Sequence, residues 1–212
     1  MSSIRIMLVD DHAVVRAGVR RLLEQDTRFE VVAECDSGER AYQQFGEYLP
    51  DITVIDLSMP GMGGMEAINR ITTRYPTAKL LVLSMHESAA FASQALKAGA
   101  RGYLAKNSLA EELIGALESI TKGQTYINAT ISKQIAQQFL SNEDNPLQQL
   151  SAREFEIFRL LAEGCDSNLI ATTLNISSKT VANYQTSIKQ KLGINNSVEL
   201  VRLAIKTGLI QS

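Results

Sequence analysis

Four short apolar runs in the first half of the chain each end on residues able to do chemistry. Asp10 and Asp11 follow Ile4–Val9, Asp56 follows Ile52–Ile55, Ser84 follows Lys79–Leu83, and Lys106 stands just beyond Arg101–Leu104. Each residue by itself has an ordinary explanation. A lone Asp at a strand end is usually a loop or cap residue, Ser84 could cap a helix, and a lone lysine is usually solvated. Brought together, they have a different meaning. Three carboxylates in one crevice repel unless a cation lies between them, and oxygen ligands with room for water suit Mg²⁺. A carboxylate beside Mg²⁺, an ammonium and a hydroxyl suits phosphoryl transfer to Asp56, with metal and lysine neutralising the phosphoryl oxygens. Asp56 is the better nucleophile because it stands alone, whereas Asp10 and Asp11 are paired as metal holders.

Convergence requires a fold that gathers strand ends. Ile4–Val9, Phe29–Ala33, Ile52–Ile55, Lys79–Leu83 and Arg101–Leu104 read as strands, with helical patterns between them. Val15, Val19, Leu22 and Leu23 recur at helical spacing, as do Met65, Ile68 and Ile71, and Ser108 with Glu111 has the spacing of a capping box before a helix to Ile120. Five βα units in succession predict a parallel sheet with helices on both faces, and ligands bind at the carboxyl ends of such strands. The loop Met59-Pro-Gly-Met-Gly-Gly64 offers free backbone beside Asp56.

Residues 123–147 change character and read as a linker with one possible helix at Ser132–Leu140; Ser141–Pro146 has loop composition. An all-α part follows over 148–212. Ser151 and Glu154 form a capping box and Gly164 closes that helix. A short helix at Ser167–Leu174, a turn at Asn175-Ile176-Ser177, a longer helix at Ser178–Leu192 and a last one at Ser197–Lys206 complete it. Two helices joined by so tight a turn are a helix-turn-helix candidate. The net charge of −2 hides a basic stretch: residues 176–212 hold five basic side chains and one acidic, a balance that favours a polyanion.

Hydrophobic residues at 45% and charged residues at 21% fit a soluble globular protein, and the first apolar run is too short for a signal peptide or a membrane span. The expected location is the cytoplasm. Cys35 and Cys165 read as reduced, inert thiols, and two histidines, His12 and His86, are too few for a His-based metal site.

Asp10-Asp11, Asp56-Leu-Ser-Met-Pro-Gly-Met-Gly-Gly64, Ser84 and Tyr103-Leu-Ala-Lys106 together resemble the receiver domain of two-component response regulators over residues 1–122, a five-stranded (βα)5 flavodoxin-like fold. The resemblance implies phosphorylation of Asp56 by a sensor histidine kinase. It implies Mg²⁺ held by Asp10, Asp11, Asp56 and the Ser58 backbone carbonyl, a Lys106–phosphoryl pair, and Ser84 and Tyr103 as switch residues. Leu150-Ser-Ala-Arg-Glu154, Leu161-Ala-Glu-Gly164, Ile170-Ala171, Ile176-Ser-Ser-Lys-Thr-Val181 and Lys191-Leu-Gly193 resemble the LuxR-type helix-turn-helix of the NarL/FixJ subfamily, with GacA/UvrY-like members as the nearest subgroup.

On the helix Ser178–Leu192, Val181, Ile188 and Leu192 share one face, with Tyr184 near it, and Lys179, Asn183, Thr186 and Gln190 share the other. A polar stripe of that kind fits a major groove. Lys179, Lys189 and Lys191 are the expected phosphate contacts, Asn183 could read adenine, and Ala182 or Thr186 could meet a thymine methyl. Ser178, Thr180 and Tyr184 complete the expected DNA-contacting set. The family often has Lys in place of Ala182 and His in place of Tyr184, so the operator sequence stays open.

These features lead to a transcription regulator that needs no separate substrate, forms a homodimer when phosphorylated or DNA-bound, and works with RNA polymerase. Val201, Leu203, Ala204 and Ile205 offer an apolar dimer surface. Two alternatives compete. An aspartyl phosphatase would want a second Asp where Ser58 stands. A receiver that ignores phosphorylation would keep only the DNA-binding part.

Overall fold

The computed structural model describes residues 3–107, 110–140 and 145–210, with the backbone alone at 138–140. The chain divides into two compact units, Met1–Glu87 with Ala95–Asn128 and Ser88–Gln94 with Ala129–Ser212.

The first unit is a parallel sheet of β1 (Ile4–Val9), β2 (Phe29–Cys35), β3 (Ile52–Ile55), β4 (Leu80–Ser84), β5 (Gly102–Ala105) and β6 (Tyr126–Ile127), in the spatial order β2-β1-β3-β4-β5-β6. Its connections carry α1 (Ala13–Leu23), α2 (Gly38–Tyr48), α3 (Gly63–Arg74) and α5 (Ala110–Thr121), while α4 (Ala89–Lys97), between β4 and β5, is divided between the units at Gln94. Strands β3 and β4 are buried along their whole length, as nearly continuous apolar strands covered on both faces must be. On one face Ile6, Leu8, Ile52, Val54, Leu81, Leu83 and Leu104 pack with Leu23 of α1 and Leu113, Leu117 and Ile120 of α5. The expected helical stripes are there, since α3 buries Met65, Ile68 and Ile71.

The sheet has six strands where the sequence predicts five. The sixth lies in the stretch read as linker and pairs Gly102 with Tyr126 and Tyr103 with Ile127. Two residues are too few to leave a period in sequence, so only pairing identifies them. Residue Ser108 of the expected capping box lies outside the described residues, as does most of Ser141–Pro146.

The second unit includes α6 (Ala129–Leu140), three residues longer at its start than expected, and a 3-10 turn at Pro146–Gln149. Then come α7 (Ala152–Ala162), α8 (Ser167–Thr173), α9 (Ser178–Leu192) and α10 (Ser197–Lys206). Leu150, Phe155, Phe158, Ile170, Val181, Ile188 and Ala204 form its fully enclosed interior. Side-chain caps place the starts of α7, α8, α9 and α10. Ser151 accepts from the Glu154 N–H while Glu154 accepts from the Ser151 N–H, and Asp166, Ser177 and Asn196 cap the next three helices. Asn175 turns the chain between α8 and α9 at φ 51°, a left-handed conformation that Asn tolerates. Gly193 ends α9 at φ 65°. Among the described residues no helix is long and apolar enough to cross a membrane.

Candidate functional site

Strand register brings the acidic residues together. Val9 pairs with Ile55, so Asp10 and Asp56 emerge side by side just past the β1–β3 ladder, and the Asp56 N–H donates to the Val9 carbonyl. Ser84 pairs with Ala105 at the β4–β5 ladder, and Lys106 follows at once, its N–H donating to the Ser84 carbonyl. From the end of β5 the Lys106 ammonium reaches back across β4. It lies 2.6 Å from Asp10 Oδ2 and 2.8 Å from Asp56 Oδ2.

These groups are out of water: Asp10 is 6% exposed, Asp56 2% and Ser84 0%. Burial pulls the Lys106 ammonium towards neutrality, but its hydrogen bonds to Asp10 and Asp56 outweigh that and hold it above its ordinary value. One lysine cannot balance three carboxylates. Asp56 Oδ1 is buried with no hydrogen-bond partner among the described residues, although a buried carboxylate oxygen ordinarily has one. Asp10, Asp11, His12 and Asp56 each present a ligand atom within 4.8 Å of the others. An orphaned anionic oxygen in such a cluster is what a divalent cation, and later a phosphoryl group, would satisfy.

The loop after β3 fits tightly under this site. A Cβ on Gly64 would stand 1.9 Å from the Asp56 carbonyl oxygen, so only glycine allows α3 to begin so close to the strand end. Glu39 of α2 accepts from the Met62 N–H at 2.8 Å and fixes the far side of the loop. Ser58 stands on this loop, and its hydroxyl lies 3.1 Å from His86 Nε2. The His86 N–H donates to Ser84 Oγ at 3.2 Å, and the buried Tyr103 hydroxyl donates to the His86 carbonyl at 2.7 Å. Burial pushes the Tyr103 phenol well above its usual range, so it acts as a hydrogen-bond donor. His86 thus links Ser58, Ser84 and Tyr103. Sequence reasoning gave it no role, because its contacts come from three separate strand ends.

Cys35 is buried and its thiol is pushed up to about 11 by burial, in keeping with an inert role.

The second candidate surface is α9. Val181 and Ile188 face the interior, while Ser178, Lys179, Ala182, Asn183, Thr186, Lys189, Gln190 and Lys191 are exposed and Thr180 and Tyr184 half-buried. Lys179, Asn183 and Lys189 have no side-chain partner among the described residues. The hydroxyls of Ser178, Thr180 and Thr186 are engaged with Asn168 Oδ1, Ser177 Oγ and the Ala182 carbonyl.

Lys191 also has a partner within the protein. Its ammonium lies 2.6 Å from Glu154 Oε2, and the Ser187 hydroxyl donates to Glu154 Oε1 at 2.7 Å. Burial would raise the Glu154 carboxyl, but Lys191, the Ser151 N–H and Ser187 together hold it down at about 2. Glu154 therefore caps α7 and anchors α9 at once. Capping spacing reveals the first role only. On α10 the apolar group also changes, because Ala204 is fully internal while Val198 and Ile205 are exposed.

Residues 6–118 match the response regulator receiver domain family, and residues 148–204 match the bacterial regulatory proteins of the luxR family. The transcriptional regulatory protein DegU of Brevibacillus brevis is 35% identical over 99% of this chain and 96% of its own. The oxygen regulatory protein NreC of Staphylococcus aureus is 38% identical over 98% and 99%. Among solved structures, RcsB of Salmonella typhimurium aligns with a TM-score of 0.71 at 27% identity, covering 98% of this chain and 99% of that one. RcsB bound to promoter rprA in the presence of phosphomimetic BeF3⁻ aligns at 0.70 and 27%, covering 95% and 98%. The family is one of DNA-binding transcription regulators, not of classical enzymes. The chain belongs to it: this is a two-component response regulator of the NarL/FixJ type, with a receiver domain and a LuxR-type helix-turn-helix.

Proposed function

We propose that Asp56 is the phosphoacceptor and that its phosphorylation controls DNA binding through α9. The observation that carries this reading is Asp56 itself: nearly inaccessible, one oxygen held by Lys106, the other without a partner among the described residues. Asp10 and Asp11, with the Asp56 carboxylate and the Ser58 backbone carbonyl, would hold Mg²⁺. Bound there, the cation supplies charge neutralisation for the transferring phosphoryl oxygens. Lys106 orients Asp56 through its hydrogen bond to Oδ2. Asp56 Oδ1 attacks the phosphorus of a phosphohistidine on the cognate sensor kinase; the O–P bond forms, the N–P bond breaks, and its electron pair leaves with the imidazole. Ser84 and Tyr103, already joined through His86, are the groups placed to sense the new phosphate. Through their contacts the modification biases a pre-existing equilibrium.

The domains of this reading are a receiver at 1–122, a linker at 123–147 and a DNA-binding domain at 148–212. Helix α9 enters a major groove with Asn183 on base edges and Lys179 and Lys189 on phosphates. That RcsB was solved on promoter DNA with BeF3⁻ supports both halves. Homodimerisation on two half-sites, contact with RNA polymerase and a cytoplasmic location follow from this role. The test is labelling by phosphoramidate with Mg²⁺, which Asp56→Asn should abolish. Labelling of that variant at the wild-type level would overturn the assignment.

A further inference from the structure

The paired carboxylates of the acidic pocket stand on consecutive residues, Asp10 and Asp11, joined by a single peptide group. The β1 ladder ends at Val9, which pairs with Cys35 and Ile55. One residue on, the Asp10 N–H still donates to the Cys35 carbonyl at 3.1 Å, but the Asp10 carbonyl lies beyond the last strand pair. Its partner is Arg16 of α1, whose Nη1 donates to it at 2.5 Å. A peptide group is planar, so holding that oxygen also sets the direction in which the chain enters Asp11. The Asp10 carboxylate has restraints of its own in Lys106 and the His12 N–H, whereas Asp11 is exposed. The aim of Asp11 depends on its backbone.

Arg16 is held in this place at some cost. Its side chain is 18% exposed, and Glu34 stands 3.6 Å from its Nε, longer than a hydrogen bond. That Nε is buried with no hydrogen-bond partner among the described residues, an unfavourable state for a donor. With Asp10 and Asp56, Arg16 lines a recess between α1 and the sheet. We propose that Arg16 is a positioning residue of the cation site: it holds the Asp10 carbonyl and so fixes the peptide that carries the Asp11 carboxylate. The inference rests on the metal reading above. Outer groups that orient a metal's ligands raise its affinity in this way. The charge of the guanidinium acts in the opposite sense, because a positive group near the pocket repels a divalent ion. The sign of the change on removing Arg16 separates the two effects.

The experiment is calorimetric titration of the full chain with Mg²⁺. Arg16→Met removes both donor and charge and should weaken Mg²⁺ binding about tenfold. Arg16→Lys, which keeps a donor for the carbonyl, should bind close to the wild type. In an Asp11→Asn background Arg16→Met should cause little further loss, because its effect passes through Asp11. The rise of the unfolding midpoint on adding Mg²⁺ reads the same affinities in a destabilised variant. Three results would each overturn the role of Arg16 and leave the carboxylate site standing: unchanged or tighter binding in Arg16→Met, a loss in Arg16→Lys as large as in Arg16→Met, or an equal loss with and without the Asp11 carboxylate. Mg²⁺ binding that is absent from the wild type, or that persists unchanged in Asp11→Asn, would instead overturn the metal reading itself.

Discussion

Replacing Glu154 by Gln tests how the DNA-binding unit holds its helices in register. Glu154 is 4% exposed and joins the start of α7 to Ser187 and Lys191 on α9. Its carboxyl lies at about 2 against an ordinary 4.5. A folded-state value below the unfolded one means that the ionised form is favoured by folding. The contribution is therefore complete above about pH 4.5 and is lost as pH falls towards about 2. A gap of that size corresponds to at most about 3 kcal/mol. Gln keeps an acceptor for the capping box, so Glu154→Gln should cost about 1–3 kcal/mol at pH 7, mainly through the Lys191 and Ser187 bonds. The assay is amide hydrogen exchange in α7 and α9 at pH 7 and pH 3. The wild type should lose about 2 kcal/mol more protection between those values than the variant does, because only the wild type protonates this group. Equal losses in both proteins would refute the reasoning. So would a variant as protected as the wild type at pH 7.

Other outcomes follow from the same geometry. Lys106→Met should slow labelling of Asp56 by a small phosphodonor about a hundredfold, read from the initial rate with phosphoramidate. Gly64→Ala should lower the unfolding midpoint of the receiver by several degrees, since the new methyl meets the Asp56 carbonyl; a neutral result by calorimetry would contradict the close approach. Lys179→Ala should weaken binding to all DNA sequences alike and reduce the salt slope by about 1, whereas Asn183→Ala should cost about 1–3 kcal/mol on the preferred site only. Lys191→Ala should behave unlike Lys179→Ala: because its ammonium is committed to Glu154, the variant should lose stability in α9 more than it loses salt dependence.

The sequence alone determined the elements and the reactive groups they carry. Apolar runs, caps and helical spacing act over a few residues, so β1 to β5, the capping box at Ser151 and Glu154, and the helix-turn-helix could be read without coordinates. The residues at the strand ends could be named for the same reason. What lay beyond reach depends on strand order, which is not the order of the chain. Lys106 meets Asp10 because β1, β3, β4 and β5 are neighbours in that sequence, a contact between residues with most of the receiver between them. The bridge of His86 between Ser58 and Tyr103, and the seat of Gly64 under Asp56, arise in the same way. Lys191 illustrates the converse. Its position on α9 was legible as a cation, but only packing of α7 against α9 brought it a buried carboxylate for a partner.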